Sequence, residues 1–174
     1  MNYIISNPFI CGVLSTVVGG IILAFLFFLF REYICPLPKL SDTWYVRTIT
    51  KDTSYGKYLD LQLDFIVMLW VEGNIIHGTC EKIAEKSTED EREYTGKNRK
   101  SGIINGSINK QYLKRDNITL HVVIDDFGRE STYLFKIKKD FKFFRCSNVI
   151  FTGTFSSMVA NQKGITTWSR DRFQ

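Results

Sequence analysis

Two patterns of apolar residues divide the chain. From Phe9 to Phe30 run 22 uncharged, mainly apolar residues. As a helix rising 1.5 Å per residue they would extend about 33 Å, enough to cross a bilayer hydrocarbon core of about 30 Å. The apolar character goes all round this helix instead of forming one stripe, which argues against the core helix of a soluble domain. A cleaved signal peptide would have a basic start, a shorter apolar run and a small-residue cleavage site, and this segment has none of them. Pro36 and Pro38 stop the helix and favour an extended connection. The expected division is a transmembrane anchor over 1–31, a linker over 32–40 and one soluble domain over 41–174.

Beyond Leu40 the period becomes two. Thr43 to Thr50 reads as one strand and Tyr58 to Val71 as a second. In the second, Leu59, Leu61, Leu63 and Phe65 alternate with Asp60, Gln62 and Asp64, the mark of a strand with one buried face. Glu72-Gly73-Asn74 is a tight turn into a third strand from Ile75 to about Ala84. Residues 85–101 carry charges of both signs and read as a solvated loop or extended strand ends, with no chemistry assigned. Further strands are expected at 102–109, 118–124, 132–138, 149–157 and 165–170, with a turn at Asp125-Asp126-Phe127-Gly128. Eight strands in series joined by short turns must hide their edges. The expected fold is therefore all-β, an eight-stranded antiparallel up-and-down, lipocalin-like barrel preceded by one transmembrane α-helix, with a β-sandwich as the alternative. Such a barrel has room for side chains or one small ligand. On closure, Trp44 in the first strand meets Trp168 and Arg170 in the last, where an Arg stacked on a Trp is a structural plug.

Charge and cysteine usage refine the setting. All charges lie beyond residue 30, and Arg31 and Lys39 follow the span whereas no charged side chain precedes it. The positive-inside bias thus places the soluble domain in the cytoplasm, with a single pass through the membrane. Cys11, Cys35, Cys80 and Cys146 have neither disulfide-framework nor zinc spacing, as suits a reducing compartment. The triplets at Asn105 and Asn117 match a glycosylation pattern that a cytoplasmic domain would never use. Within the span, Gly12, Thr16 and Gly20 recur every four residues beside Ser15 and Gly19. This small-residue face is either a self-association surface or the ordinary tolerance of membrane helices for glycine.

Catalytic signatures are missing. His77 and His121 each stand alone in a strand, and no phosphate loop, metal-ligand set or nucleophile elbow is present. Asp125 and Asp126 are explained by turn chemistry. The sequence thus points to a binding protein with no catalytic residue, cofactor or metal. The net charge of +5 permits an anionic ligand or lipid headgroups without demanding DNA or RNA. For a nucleotide-like ligand, Tyr58, Trp70, Tyr133 and Trp168 are the candidate aromatic faces, and Arg47, Arg145, Arg170, Thr152 and Thr154 the candidate donors. For each of them, ordinary packing or a solvated surface is the simpler explanation.

One family has this layout. The apolar span at 9–30, Ser-Asp-Thr-Trp-Tyr at 41–45, Ile-Ile-His-Gly at 75–78, Phe-Thr-Gly-Thr-Phe at 151–155 and Gly-Ile-Thr-Thr-Trp-Ser-Arg at 164–170 resemble the CD-NTase-associated transmembrane β-barrel effectors of CBASS antiphage defence. The resemblance covers nearly the whole chain and rests on architecture. Many members carry two membrane segments, whereas one is visible here. The resemblance implies a protein of the bacterial inner membrane whose barrel binds a cyclic dinucleotide or related cyclic oligonucleotide. It implies further that ligand-dependent homo-oligomers then breach the membrane lipid and cause abortive infection. The alternative from another class is a membrane-tethered lipocalin-like carrier or envelope scaffold.

Overall fold

The structure, a computed structural model, describes residues 8–30, 40–88, 90–111, 116–126, 128–138 and 150–173. The chain forms two compact units, Met1–Pro38 and Lys39–Gln174. Of the expected linker only Leu40 is described.

In the first unit, helix α1 runs from Pro8 to Leu29. Pro8 suits a first helical turn, where an amide hydrogen has no intrahelical partner. The helix is long and apolar enough to cross a membrane. Gly12, Ser15, Thr16, Gly19 and Gly20 are all exposed on it, and the Thr16 hydroxyl donates to the Gly12 carbonyl at 2.9 Å. That bond turns one of the two hydroxyls of the small-residue face back onto its own backbone.

The second unit is a closed barrel. Its strands are β1 (Asp42–Asp52), β2 (Gln62–Glu72), β3 (Ile75–Lys86), β4 (Glu91–Glu93), β5 (Lys100–Asn109), β6 (Asn117–Asp126), β7 (Arg129–Lys138), β8 (Phe151–Ser157) and β9 (Lys163–Ser169). Eight of them pair antiparallel with their chain neighbours, β9 closes on β1, and three-residue β4 is a spur on the outer end of β3. Continuous pairing around the ring satisfies both edges of the eight staves and removes the sandwich alternative. Gly73 (φ +62°) supplies the left-handed turn between β2 and β3. The mouth where β1 begins, called the near mouth, also holds the β2–β3 turn and the ends of β5, β7 and β9. The opposite, far mouth holds the other strand ends.

One expectation changes. The second strand does not begin at Tyr58. Residues Gly56–Tyr58 form a 3-10 turn, Asp60 adopts φ +56°, and Leu59 is 49% exposed. The Leu59–Leu61 alternation therefore belongs to a chain reversal, sealed where Asp60 N–H donates to the Thr50 carbonyl and Thr50 N–H to that of Leu61. Of the two readings of 85–101, extended strand ends describes its two ends. Glu85 and Lys86 complete β3, 91–93 pair back onto it, and Lys100 and Ser101 open β5. Val149, expected in the seventh strand, lies outside the described residues.

Side chains fill the barrel. Trp44, Phe65, Tyr133, Phe135, Phe151, Phe155 and Trp168 are buried with a layer of Ile, Leu and Val. Phe135 meets Trp168 edge-on at 5.6 Å and Phe155 at 6.3 Å. Inward-facing glycines let strands cross closely: a Cβ on Gly164 would collide with the Ile49 carbonyl and the Phe155 ring. One interior void, bounded by Val46, Phe65, Val67, Cys80, Val122, Ile124, Phe135 and Trp168, measures about 10 Å³, room for at most a single water.

The seam is closed as the sequence implied. β1 and β9 pair through Val46 and Trp168. The Arg170 guanidinium lies 3.8 Å from the Trp44 ring centroid, donates to the Thr43 carbonyl at 3.2 Å and pairs with Asp42 at 2.9 Å. Trp44 Nε1 donates to the Leu40 carbonyl at 2.8 Å, which fixes the incoming chain to the near mouth.

Candidate ligand site at the far mouth of the barrel

The inward positions of β3 are Ile76, Gly78, Cys80 and Lys82, every second residue. Strand alternation would point Glu85, three residues after Lys82, to the opposite face. A bulge intervenes: Asp64 pairs with Ala84 while the next residue, Phe65, pairs with Lys82, leaving Ile83 as the extra residue. Such an insertion shifts the phase by one, so Lys82 and Glu85 share the inner face. Lys82 Nζ donates to Glu85 Oε2 at 2.5 Å, with the lysine side chain 8% and the glutamate 29% exposed.

Two further groups converge on this pair. Lys100 is the direct cross-strand partner of Lys82. The amide of Tyr94 donates to the Ile83 carbonyl at 2.8 Å, which holds the excursion after β4 against the bulge. The Tyr94 hydroxyl donates to Glu85 Oε2 at 3.1 Å. Its ring centroid lies 5.4 Å from Lys82 Nζ and 5.3 Å from Lys100 Nζ. Two ammonium groups and one carboxylate therefore gather around one aromatic ring. Like charges directly opposite one another are unfavourable in a sheet, so this cross-strand lysine pair is chemistry that an anionic group suits. The same half of the interior contains the buried polar side chains Thr48, Thr50, Ser157, Gln162 and Thr166. Thr50 donates to Gln162 at 3.1 Å, whereas the Thr166 hydroxyl has no hydrogen-bond partner among the described residues.

The residues singled out from sequence do not gather in one pocket. Arg47 lies on the outer face, doubly bonded to Asp64 at 2.9 Å and 2.9 Å and stacked 4.6 Å from Phe173. Trp70, half-exposed on the outer face of β2, sits 5.9 Å from the His77 ring. Thr152 and Thr154 are exposed on the outer face of β8. Tyr58 belongs to the 3-10 turn, edge-on to Tyr55 at 5.2 Å. Tyr133 and Trp168 are buried in the core, Trp168 with its Nε1 unpartnered among the described residues. Arg170 seals the near mouth, and Arg145 lies outside the described residues.

Sequence reasoning passed over Lys82, Glu85, Tyr94 and Lys100, three of them in the stretch read as a solvated loop or extended strand ends with no chemistry assigned. One signal was legible: Lys82 continues the inward series Ile76, Gly78, Cys80. The bulge that brings Glu85 to it was not.

The Cys80 thiol inside the barrel is pushed up to about 12 by burial and, secondarily, by the charge of Glu81, so it stays protonated and inert. Among the described residues no three His, Cys, Asp or Glu side chains cluster as metal ligands. An outer crevice of about 80 Å³ between the β2–β3 bulge, β4 and Phe173 has charges of both signs on its walls and is well below the roughly 300 Å³ of a small-molecule site. Comparison with protein-family models, curated proteins and solved structures finds no match to the chain.

Proposed function

We propose that the protein is a membrane-anchored antiphage effector of the CBASS type, in which the far mouth of the barrel takes a cyclic dinucleotide or related cyclic oligonucleotide. Bound subunits assemble, and their clustered helices disrupt the bacterial inner membrane and kill the infected cell. The observation that carries this reading is the Lys82–Lys100 pair around Tyr94, since a phosphate needs fixed cations and a base needs an aromatic ring. The filled interior restricts the ligand to a mouth, where it is also within reach of a second subunit. Helix α1 supplies the anchor, and Arg31 and Lys39 favour a cytoplasmic barrel. The signal is bound and not turned over.

The energetics are simple. A ligand shifts assembly only by its difference in affinity for the assembled and free states, and confinement to a membrane raises the effective concentration of subunits. The carrier alternative has less support, because the aromatic side chains of Trp44, Phe135, Phe155 and Trp168 are buried inside the barrel where cargo would sit. A scaffold would act without any ligand.

The test expresses the full chain in bacteria with and without a cyclic dinucleotide supplied by a co-expressed nucleotidyltransferase. Dye uptake reads permeabilisation and crosslinking reads assembly. Ligand-dependent assembly and dye uptake are expected, and their absence with every cyclic dinucleotide tried refutes the reading. Replacing Gly12 and Gly20 by Leu should abolish dye uptake and leave ligand binding intact; continued killing refutes the helix-packing step.

A further inference from the structure

Lys82 Nζ and the Tyr94 hydroxyl both donate to one oxygen, Glu85 Oε2, at 2.5 Å and 3.1 Å. A carboxylate oxygen and a non-bridging phosphate oxygen are both anionic and accept without donating. Two donors that converge on such an oxygen make a seat that suits either, and Glu85 holds the place a phosphate would take.

The three residues differ in their freedom to move. Lys82 is pinned through its backbone between Phe65 on one side and Lys100 on the other, and its side chain is 8% exposed. Its ammonium needs an anion, since an uncompensated buried charge is strongly destabilising. Tyr94 is pinned by its amide, which donates to the Ile83 carbonyl. Glu85 is 29% exposed, so its carboxylate already borders water and rotation of its own side chain carries it off the lysine. Strand β4 supplies a second place for it. Arg92 is the direct cross-strand partner of Glu85, which puts the two side chains on one face. Arg92 is 68% exposed and bonded to Asp90 at 2.7 Å. Glu85 thus stands between a buried cation and an exposed one.

We propose that Glu85 is a built-in competitor at the far mouth: a phosphate group of the ligand binds by displacing its carboxylate from Lys82 and the Tyr94 hydroxyl, and the freed side chain turns outward towards Arg92. This rests on the reading of the far mouth as the signal site. The exchange replaces one anion by another, so the buried ammonium is compensated before and after. It also sets a threshold, because the affinity of any ligand falls by the fraction of molecules in which its seat is open. Inorganic phosphate has only this seat to gain, whereas a cyclic dinucleotide adds a second phosphate and two bases. The carboxylate therefore keeps simple anions out and admits a ligand with further contacts.

The experiment titrates the full chain in mild detergent with cyclic di-GMP, cyclic di-AMP and cyclic GMP-AMP by calorimetry, beside Glu85→Gln. Affinity at least about tenfold higher in Glu85→Gln is expected. Because that variant takes the counterion from Lys82, a second measurement uses the unaltered protein: carbodiimide coupling of carboxylates, read by peptide mass spectrometry. Labelling of Glu85 should rise at least about twofold when a cyclic dinucleotide is bound, while that of Asp42 at the near mouth stays constant. Binding without a rise in Glu85 labelling, or with no gain in a folded Glu85→Gln, overturns the exchange and leaves the signal reading standing. If Glu85→Gln does not fold, the labelling alone decides. Absence of binding by both proteins overturns the exchange and the signal site together.

Discussion

Lys82 and Glu85 are bonded to one another, yet their removal should have very different effects. Lys82→Met replaces a side chain that is 8% exposed by an unbranched one that ends at Cε, so the packing of the stem survives and only the ammonium is lost. It also relieves the desolvation of an ammonium, a penalty of several kcal/mol for a buried ion. What remains is Glu85, 29% exposed, still accepting from the Tyr94 hydroxyl and still open to water. The expected change in unfolding free energy is within about 1 kcal/mol of zero. Glu85→Gln leaves Lys82 charged, buried, without its counterion and opposite Lys100, and should destabilise by about 3 kcal/mol. Urea unfolding of the full chain in mild detergent, followed by near-ultraviolet circular dichroism of the barrel aromatics, measures both. If Lys82→Met is as damaging as Glu85→Gln, the lysine is a structural necessity of the barrel and the argument for an anion site fails. If it is neutral, the lysine is retained for something other than stability, and the same variant should weaken cyclic dinucleotide binding at least tenfold, the loss of one charge-assisted contact of about 1.4 kcal/mol or more.

Three further outcomes follow from the geometry. Arg170→Ala should destabilise the barrel by about 2 kcal/mol, and Arg170→Lys should restore less than half of this in the same urea assay, because an ammonium cannot stack its plane on Trp44 while donating to the Thr43 carbonyl. Gly164→Ala should destabilise by about 3 kcal/mol, since the Cβ meets the Ile49 backbone and not a movable side-chain tip; a folded variant of wild-type stability would mean that the β1–β9 seam is looser than described. Cys80 is protonated in the fold up to about pH 12 but ionises near 9.0 when unfolded, so the unfolded chain holds fewer protons between those values. Stability from this residue is therefore fully present below pH 9 and falls above it by about 1.4 kcal/mol per unit. The difference in unfolding free energy between pH 8 and pH 10 should shrink by about that amount in Cys80→Ala, and iodoacetamide should label Cys80 only after unfolding.

What was legible in the sequence followed from local and periodic physics. The apolar run of α1 requires no tertiary partner to define it, because its length and lack of charge are measured against a bilayer. The alternation through Leu61, Leu63, Phe65, Val67 and Leu69 belongs to any strand that buries one face, and a series of such strands with short turns leaves few ways to satisfy its edges other than closure. The meeting of Trp44 with Arg170 followed from closure alone, since first and last staves must become neighbours. The misplacement of Leu59 has the opposite cause: one apolar residue at the right spacing fits a strand pattern although Asp60 turns the chain back on itself.

The candidate site was a different matter. Lys82, Glu85, Tyr94 and Lys100 span nineteen positions in a segment whose mixed charges look solvated. Their convergence depends on the bulge at Ile83, the spur of β4 and the register that sets Lys82 opposite Lys100. None of these leaves a periodic trace, because a bulge is a one-residue departure from a period and register is a relation between strands. Likewise Arg47, Trp70, Tyr133 and Trp168 had the right chemistry for a ligand, but barrel closure alone assigned them to inside, outside or seam. The sequence by itself determined an apolar span and a closed all-β domain, which depend on composition and period. Tertiary structure decided where charge meets ring, because that depends on distances between residues far apart along the chain.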